Sequence, residues 1–263
     1  MPINFYSEEN RTSYVTRAAD SQWCHWFKQH WDPMGKVVVD LGCGGGIYSR
    51  AFLQMGARQV IGIDDSPIML KAAHSTTLSD RVDWMCCDAA HTHLPDQRAD
   101  LLFIRAVIHH LRELAPLLTE GLRILKPGAS IIIQDRTPED CFLPPSTSHL
   151  RGFIMASQPE LQSIEAKRRY QQNTVTESLK DVGFDSIQSE TLWETRCTYA
   201  TLDDLAQNIL QRTGRSILHD LTNHQLASLS QQIQRELIRQ GYVTNIVDQD
   251  RWTIWSGIKP SLN

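Results

Sequence analysis

The stretch Asp40-Leu41-Gly42-Cys43-Gly44-Gly45-Gly46 places a carboxylate ahead of four glycines. Glycines let a backbone turn sharply and let a ligand approach without meeting a Cβ. A dinucleotide-binding loop would read Gly-x-Gly-x-x-Gly, but the sixth position counted from Gly42 is Ile47, so that pattern fails by one glycine. The leading acid would also repel a pyrophosphate, whereas it suits a ligand with a positive centre. Two more acids, Asp64 and Asp88, come at the close of two later apolar runs. Further along, Arg212-Thr213-Gly214-Arg215-Ser216 carries two guanidinium groups around a turn, able to grip a carboxylate or phosphate. Six cysteines without Cys-x-x-Cys spacing read as free thiols; the vicinal Cys86-Cys87 reads as the end of a strand, and Cys43 has no evident base beside it.

The elements that must position these groups follow from periodicity. Lys36 to Leu41, Gln59 to Ile63, Arg81 to Cys86, Ala99 to Ile104 and Ser130 to Gln134 read as strands. Between them, Ile47, Ala51 and Met55 recur at helical spacing before Gly56, and Pro67 opens a helix carrying Met69 and Leu70. A stripe of Leu111, Leu114, Leu118, Leu122 and Leu125 predicts another helix, stopped by Pro127-Gly128. Five strands with intervening helices or turns indicate a doubly wound, mostly parallel α/β sheet, whose ligands sit at the carboxyl ends of the strands. After Pro144-Pro145 the rhythm changes. Capping boxes are expected at Thr174 with Glu177, Thr201 with Asp204 and Thr222 with Gln225, strands near Asp185 to Trp193 and Arg251 to Ile258, and the remainder as helices.

The 263 residues carry 26 Lys+Arg against 30 Asp+Glu, a net charge of −4, with 41% hydrophobic and 21% charged residues. That is an ordinary globular composition without the basic surface that nucleic-acid binding usually needs, so no nucleic-acid partner is expected. No apolar run is long enough for a membrane span and the first residues lack a secretory pattern, so the expectation is a cytoplasmic protein with no membrane association, as a monomer or homodimer.

Taken in order, the Asp40 to Gly46 loop, Gly62-Ile63-Asp64-Asp65-Ser66-Pro67-Ile68-Met69-Leu70, Cys87-Asp88-Ala89, Ile104 to Leu111 and Leu125-Lys126-Pro127-Gly128 resemble the class I S-adenosylmethionine-dependent methyltransferases, in particular the small-molecule branch that includes the ubiquinone and menaquinone methyltransferases. The resemblance covers roughly Val37 to Asp135 and implies a seven-stranded Rossmann-like methyltransferase sheet. It implies S-adenosyl-L-methionine as cofactor and S-adenosyl-L-homocysteine as product. Asp40, Gly42 and Gly44 would adjoin the methionine portion, and Asp64, 22 residues after Gly42, would bond the ribose hydroxyls, with Asp65 its neighbour. Met69 would cover the adenine, Asp88 and Ala89 would meet its edge, and Arg105 would line the pocket by its main chain. His109 and His110 stand where the family often has paired histidines, either a base or a structural turn. No metal site is implied.

The expected organisation is an N-terminal helical lid over 1–35, a cofactor-binding core over 36–138, helical cap insertions with a late strand over 139–250 and a final strand over 251–263. Tyr14 and Arg17, from the lid, join Arg212 and Arg215 as candidate acceptor contacts. The leading expectation is methyl transfer to a small-molecule, anionic acceptor. RNA or protein methylation, or a non-catalytic cofactor-binding regulator, are the alternatives.

Overall fold

A computed structural model describes residues 18–77 and 79–261. The described chain groups into two compact units. The first, the sheet unit, holds the residues up to Asp135 together with Tyr170–Thr191 and the chain from Thr253 onward; the second holds Arg136–Arg169 and Leu192–Trp252. The sequence reading takes 139–250 as helical cap insertions with a late core strand; within that span Tyr170–Thr191 groups with the sheet unit.

The seven strands are β1 Val37–Leu41, β2 Gln59–Asp64, β3 Val82–Cys86, β4 Ala99–Arg105, β5 Leu125–Asp135, β6 Asp185–Thr201 and β7 Thr244–Ile258. Their order is β3-β2-β1-β4-β5-β7-β6, with β1 to β5 parallel and β7 antiparallel to β5. β1 is buried along its whole length, as a β-branched run covered on both faces must be. The strand order reverses at β1 and β4, the place where such sheets bind ligands. The helices are α1 Ser21–Trp31, α2 Ile47–Gln54, α3 Pro67–Thr76, α4 Ala115–Ile124, α5 Pro138–Cys141, α6 Leu150–Ser157, α7 Pro159–Arg168, α8 Gln172–Val182, α9 Leu202–Leu210 and α10 Asn223–Arg239.

In the sheet unit, α1 is fastened by Trp23. Its ring packs on Phe27, Tyr48 and Phe103, and its indole N–H donates to Gln134 Oε1 at 2.9 Å. α4 starts at Ala115, later than the leucine stripe predicts, because Pro116 belongs in a first turn; Ile108–His110 forms a separate 3-10 turn. Leu125, the last leucine of the predicted stripe, is the C-cap of α4 and at the same time opens β5 opposite Ala99. α8 starts at Gln172 with no side-chain cap, so Thr174 lies inside the first turn and its expected capping box does not form.

The second unit has a core of its own, built from Leu150, Phe153, Leu161, Leu205, Ile217, Leu229 and Ile233 among others. Here the boxes at Thr201 with Asp204 and Thr222 with Gln225 form as expected, and Thr137 with Asp140 supplies another.

Candidate active site

The glycine loop leaves the end of β1 and is tied at once to the end of β2. The backbone N–H groups of Gly42 and Cys43 both donate to the Ile63 carbonyl, at 2.8 and 2.9 Å. Gly42 has φ +75°, and a Cβ there would lie 2.1 Å from Val107 Cγ2, so the conformation and the space both demand glycine. Asp64 fastens the next part: its Oδ2 accepts from Gly44 N at 2.8 Å and its Oδ1 from Ser66 N at 2.9 Å. The Met69 methyl lies 3.4 Å from where a Gly44 Cβ would be, placing this side chain against the loop. Asp65 is exposed, and its charge adds to the rise of the Asp64 carboxyl. Asp88 is exposed just beyond β3, its Oδ1 accepting from Ala90 N at 2.7 Å, and Ala89 is half-buried beside it. The three acids Asp40, Asp64 and Asp88 therefore lie at the carboxyl ends of three adjacent parallel strands.

Asp40 is 2% exposed and accepts from Ser49 Oγ at 2.5 Å. Burial, opposed by the Ser49 hydrogen bond and reinforced by Asp64, pushes its carboxyl up to about 7. Burial likewise raises Asp64. Burial and the two acids raise the Cys43 thiol, which leaves it a small packed residue and not a nucleophile. A buried and a half-buried acid raised in this way, beside a loop in which Gly42 and Gly46 leave no room for a Cβ, form an environment that a cationic ligand would relieve.

The end of β4 is strained. Ala106 has φ +56°, in the region favoured by glycine, immediately before Val107, whose side chain fills the space above Gly42. Arg105 lies over the Tyr48 ring, its Cζ 4.3 Å from the centroid. The 3-10 turn then presents His109 and His110, rings 4.0 Å apart. His109 Nδ1 is 3.0 and 2.9 Å from the two oxygens of Asp135, the buried last residue of β5, and Asp135 Oδ2 also accepts from His109 N at 3.4 Å. Asp135 was not among the residues expected from sequence, although an acid closing the apolar run Ile131-Ile132-Ile133 is the same signal that marked Asp64.

Tyr14 and Arg17 lie outside the described residues. In the second unit, the expected anion grip of Arg212 and Arg215 is not formed. Arg215 is buried and directs Nη2 to both oxygens of Asp248 (2.9 and 2.7 Å) and Nη1 to both oxygens of Asp250 (3.0 and 3.3 Å). Arg212 donates instead to the Leu221 carbonyl and Asn223 Oδ1, both at 2.9 Å. The reason lies in β7, which begins at Thr244 and so presents Asp248 and Asp250, two apart, on one face toward the arginine. Among the described residues no group of three His, Cys, Asp or Glu side chains is placed to hold a metal ion, and no helix is long and apolar enough to cross a membrane.

A sheet of five parallel strands with β7 antiparallel to β5, a glycine loop after β1 and acids at the ends of β2 and β3 defines a Rossmann-like fold of the class I type. Residues 39–133 match the family model described as a methyltransferase domain. It is 36% identical over 118 residues to ribosomal protein L11 methyltransferase of Aeromonas salmonicida, covering 41% of this chain and 38% of that one. It is 28% identical over 160 residues to malonyl-[acyl-carrier protein] O-methyltransferase of Yersinia pestis, covering 58% and 57%. Among solved structures, phosphoethanolamine N-methyltransferase 2 of Haemonchus contortus superposes with a TM-score of 0.61 at 19% identity, over 98% of this chain and 61% of that one, a likeness of fold. The chain spans between 30% and 38% of the length of three such L11 methyltransferases.

Proposed function

We propose that the chain is an S-adenosylmethionine-dependent methyltransferase. The observation that carries this reading is the register of Asp40, the Gly42 to Gly46 loop, Asp64 and Asp88 at the ends of adjacent strands, with a Gly42 position that Val107 closes to any side chain. The cofactor, when bound, supplies an electrophilic methyl group on a sulfonium. Asp40 and Asp64 supply negative charge near the loop, which favours that positive centre. Asp64 holds the loop through Gly44 and has carboxylate lone pairs left for a diol, Asp88 provides an acceptor edge for an amino group, and Met69 an apolar surface.

His109 is the candidate base. Donation from Nδ1–H to Asp135 sets the tautomer in which Nε2 is the proton acceptor. Asp135 is then a positioning residue. A base is required only if the acceptor keeps its proton at neutral pH.

For the acceptor, the relatives matched by sequence favour a protein, because ribosomal protein L11 methyltransferases recur among them. The small-molecule reading draws on the longer match to the malonyl-[acyl-carrier protein] enzyme and on the match to a ubiquinone biosynthesis O-methyltransferase of Stutzerimonas stutzeri, 30% identical over 121 residues. The L11 matches are short, 94 to 118 residues and 34% to 41% of this chain.

One experiment addresses donor, base and acceptor class. Radiolabelled S-adenosylmethionine is incubated with the chain and a cell extract separated into protein and small-molecule fractions, beside calorimetric titration with S-adenosylhomocysteine. We expect label in one fraction, binding weakened at least tenfold by Asp64→Ala, and a transfer rate that Asp135→Asn lowers with an altered pH profile and unchanged cofactor affinity. Absence of S-adenosylhomocysteine binding by the unsubstituted chain would end the assignment. Binding without label in either fraction would favour the regulatory reading.

A further inference from the structure

The second unit contains more buried guanidinium than its nearest carboxylates can satisfy. Glu165, on α7 and fully buried, faces three arginines: Arg168 Nη2 bonds its Oε1, Arg169 Nε donates to Oε2 at 3.0 Å, and Arg151 Nη1 lies 3.9 Å from Oε2, beyond hydrogen-bond reach. Cys141 Sγ already contacts Oε2 at 3.3 Å. Arg151, 4% exposed on α6, turns its Nε to Asp250 Oδ1 at 3.3 Å, but that oxygen also accepts from Arg215 at 3.0 Å. Arg151 therefore has the weakest contact on both carboxylates that it approaches. Its Nη1 and the Nε of Arg168 are buried and make no hydrogen bond.

Buried donors of a charged group are almost always satisfied, and one left over marks a place where a further acceptor belongs. The electrostatics agree with the geometry. Burial together with Arg169 and Arg151 brings Arg168 down to about 10, and burial, with the same two arginines opposing the pull of Asp250, brings Arg136 down to about 9. The side chain of Arg168 is 20% exposed, which connects the cluster to solvent.

We propose that Arg151 and Arg168, with Arg169, form a binding site for the oxyanionic group of a small ligand, a carboxylate or phosphate. Planar guanidinium groups with N–H donors to spare, here those of Arg151 and Arg168, suit such groups by paired, charge-assisted hydrogen bonds. The acceptor is the anion and the fork of Arg168 its entry side; Glu165 holds the arginines in place. The Arg212 to Ser216 turn does not supply the site's donors: Arg212 bonds the Leu221 carbonyl and Asn223, and Arg215 is spent on Asp248 and Asp250.

The test needs no methyl donor, so it stands or falls separately from the proposed transfer reaction. The full chain is melted at low ionic strength and neutral pH while inorganic phosphate, acetate or chloride is titrated at matched ionic strength. We expect phosphate or acetate to raise the melting temperature saturably above chloride. Arg168→Gln should weaken that response at least tenfold, whereas Arg239→Gln, an exposed arginine of α10, should leave it intact. Response to phosphate alone assigns a phosphoryl-bearing ligand; response to acetate as well assigns a carboxylate. Equal responses to all three anions, or equal responses in Arg168→Gln and Arg239→Gln, overturn the proposal. Calorimetric phosphate titration of folded Arg168→Lys, which keeps the charge but loses the fork, provides a second measure: unchanged affinity would show that no paired hydrogen bonds are involved and would also overturn it.

Discussion

Asp40 in the sheet unit and Asp250 in the second unit are the same residue type at the same 2% exposure, yet their environments push them in opposite directions. Asp40 has a serine hydroxyl for a partner and another acid nearby, and its carboxyl is raised to about 7. Against the cost of its burial, Asp250 is held well below the usual carboxylate range by Arg215, Arg136, Arg151 and Arg196. Burial alone therefore does not distinguish a functional acid from a structural one. The distinction lies in whether the protein itself supplies the opposite charge. Where it does, the acid braces the unit; where it does not, the acid is left to respond to a charged ligand.

The largest effect that can break this comparison is expected at Arg215. Arg215→Ala leaves Asp248 and Asp250 without the guanidinium that bonds all four of their oxygens, and removing one partner of a buried pair destabilises by about 3–5 kcal/mol. Denaturant unfolding should show that loss while S-adenosylhomocysteine affinity in the folded protein stays unchanged. A loss under about 1 kcal/mol would mean that these acids do not depend on Arg215.

A smaller effect, opposite in sign between the units, should appear in the pH dependence of stability. An aspartate in the unfolded chain releases its proton near pH ~4. Asp40, released near 7 when folded, makes the native state bind more protons between those values, so its contribution to stability falls as pH rises from about 4 to about 7 and then levels. Asp40→Asn removes this penalty and should stabilise the protein above pH 7 by up to about 4 kcal/mol, with little gain at pH 4, while weakening cofactor binding. Asp250 behaves in reverse: its stabilisation is fully present above the unfolded value and is lost as pH falls through its depressed folded value. Asp250→Asn should accordingly be most harmful near neutrality and least harmful in acid. Parallel pH curves for the two variants, measured by thermal melts from about pH 2 to 8, would erase the distinction.

The same contrast explains what was legible in the sequence. β1 and β2 read clearly and matched within about a residue, because strands buried on both faces show as unbroken β-branched runs, and the acids that close them follow at once. In β7 the buried positions Ile246, Asp248, Asp250 and Trp252 keep the alternation of a strand, but two of the four are acids neutralised by arginines distant in sequence. A hydrophobic pattern stops where an ion pair takes over, so the strand was expected to start at Arg251 and Arg215 looked free. His109 could be singled out by type, but its partner Asp135 is 26 residues away and is brought beside it by the pairing of β4 with β5. No local spacing encodes that contact.

The smallest expected effect concerns two threonines with the same local signature, one in each unit. Thr222 caps α10: its Oγ1 accepts from Gln225 N at 3.2 Å, and Gln225 Oε1 accepts from Thr222 N at 2.9 Å. Thr174, followed three residues later by Glu177, lies two residues inside α8, which begins at Gln172. Replacing a working cap by alanine costs about 1 kcal/mol, whereas inside a helix alanine is the best former and threonine among the poorer ones. Thr222→Ala should therefore destabilise by about 1 kcal/mol, and Thr174→Ala should be neutral or stabilise by a few tenths of a kcal/mol. Equal losses in denaturant unfolding would place the start of α8 at Thr174 after all. An unequal result would extend to neutral side chains what the acids show: a motif acts through the partner that the fold provides, and the same residues without that partner are free of the role.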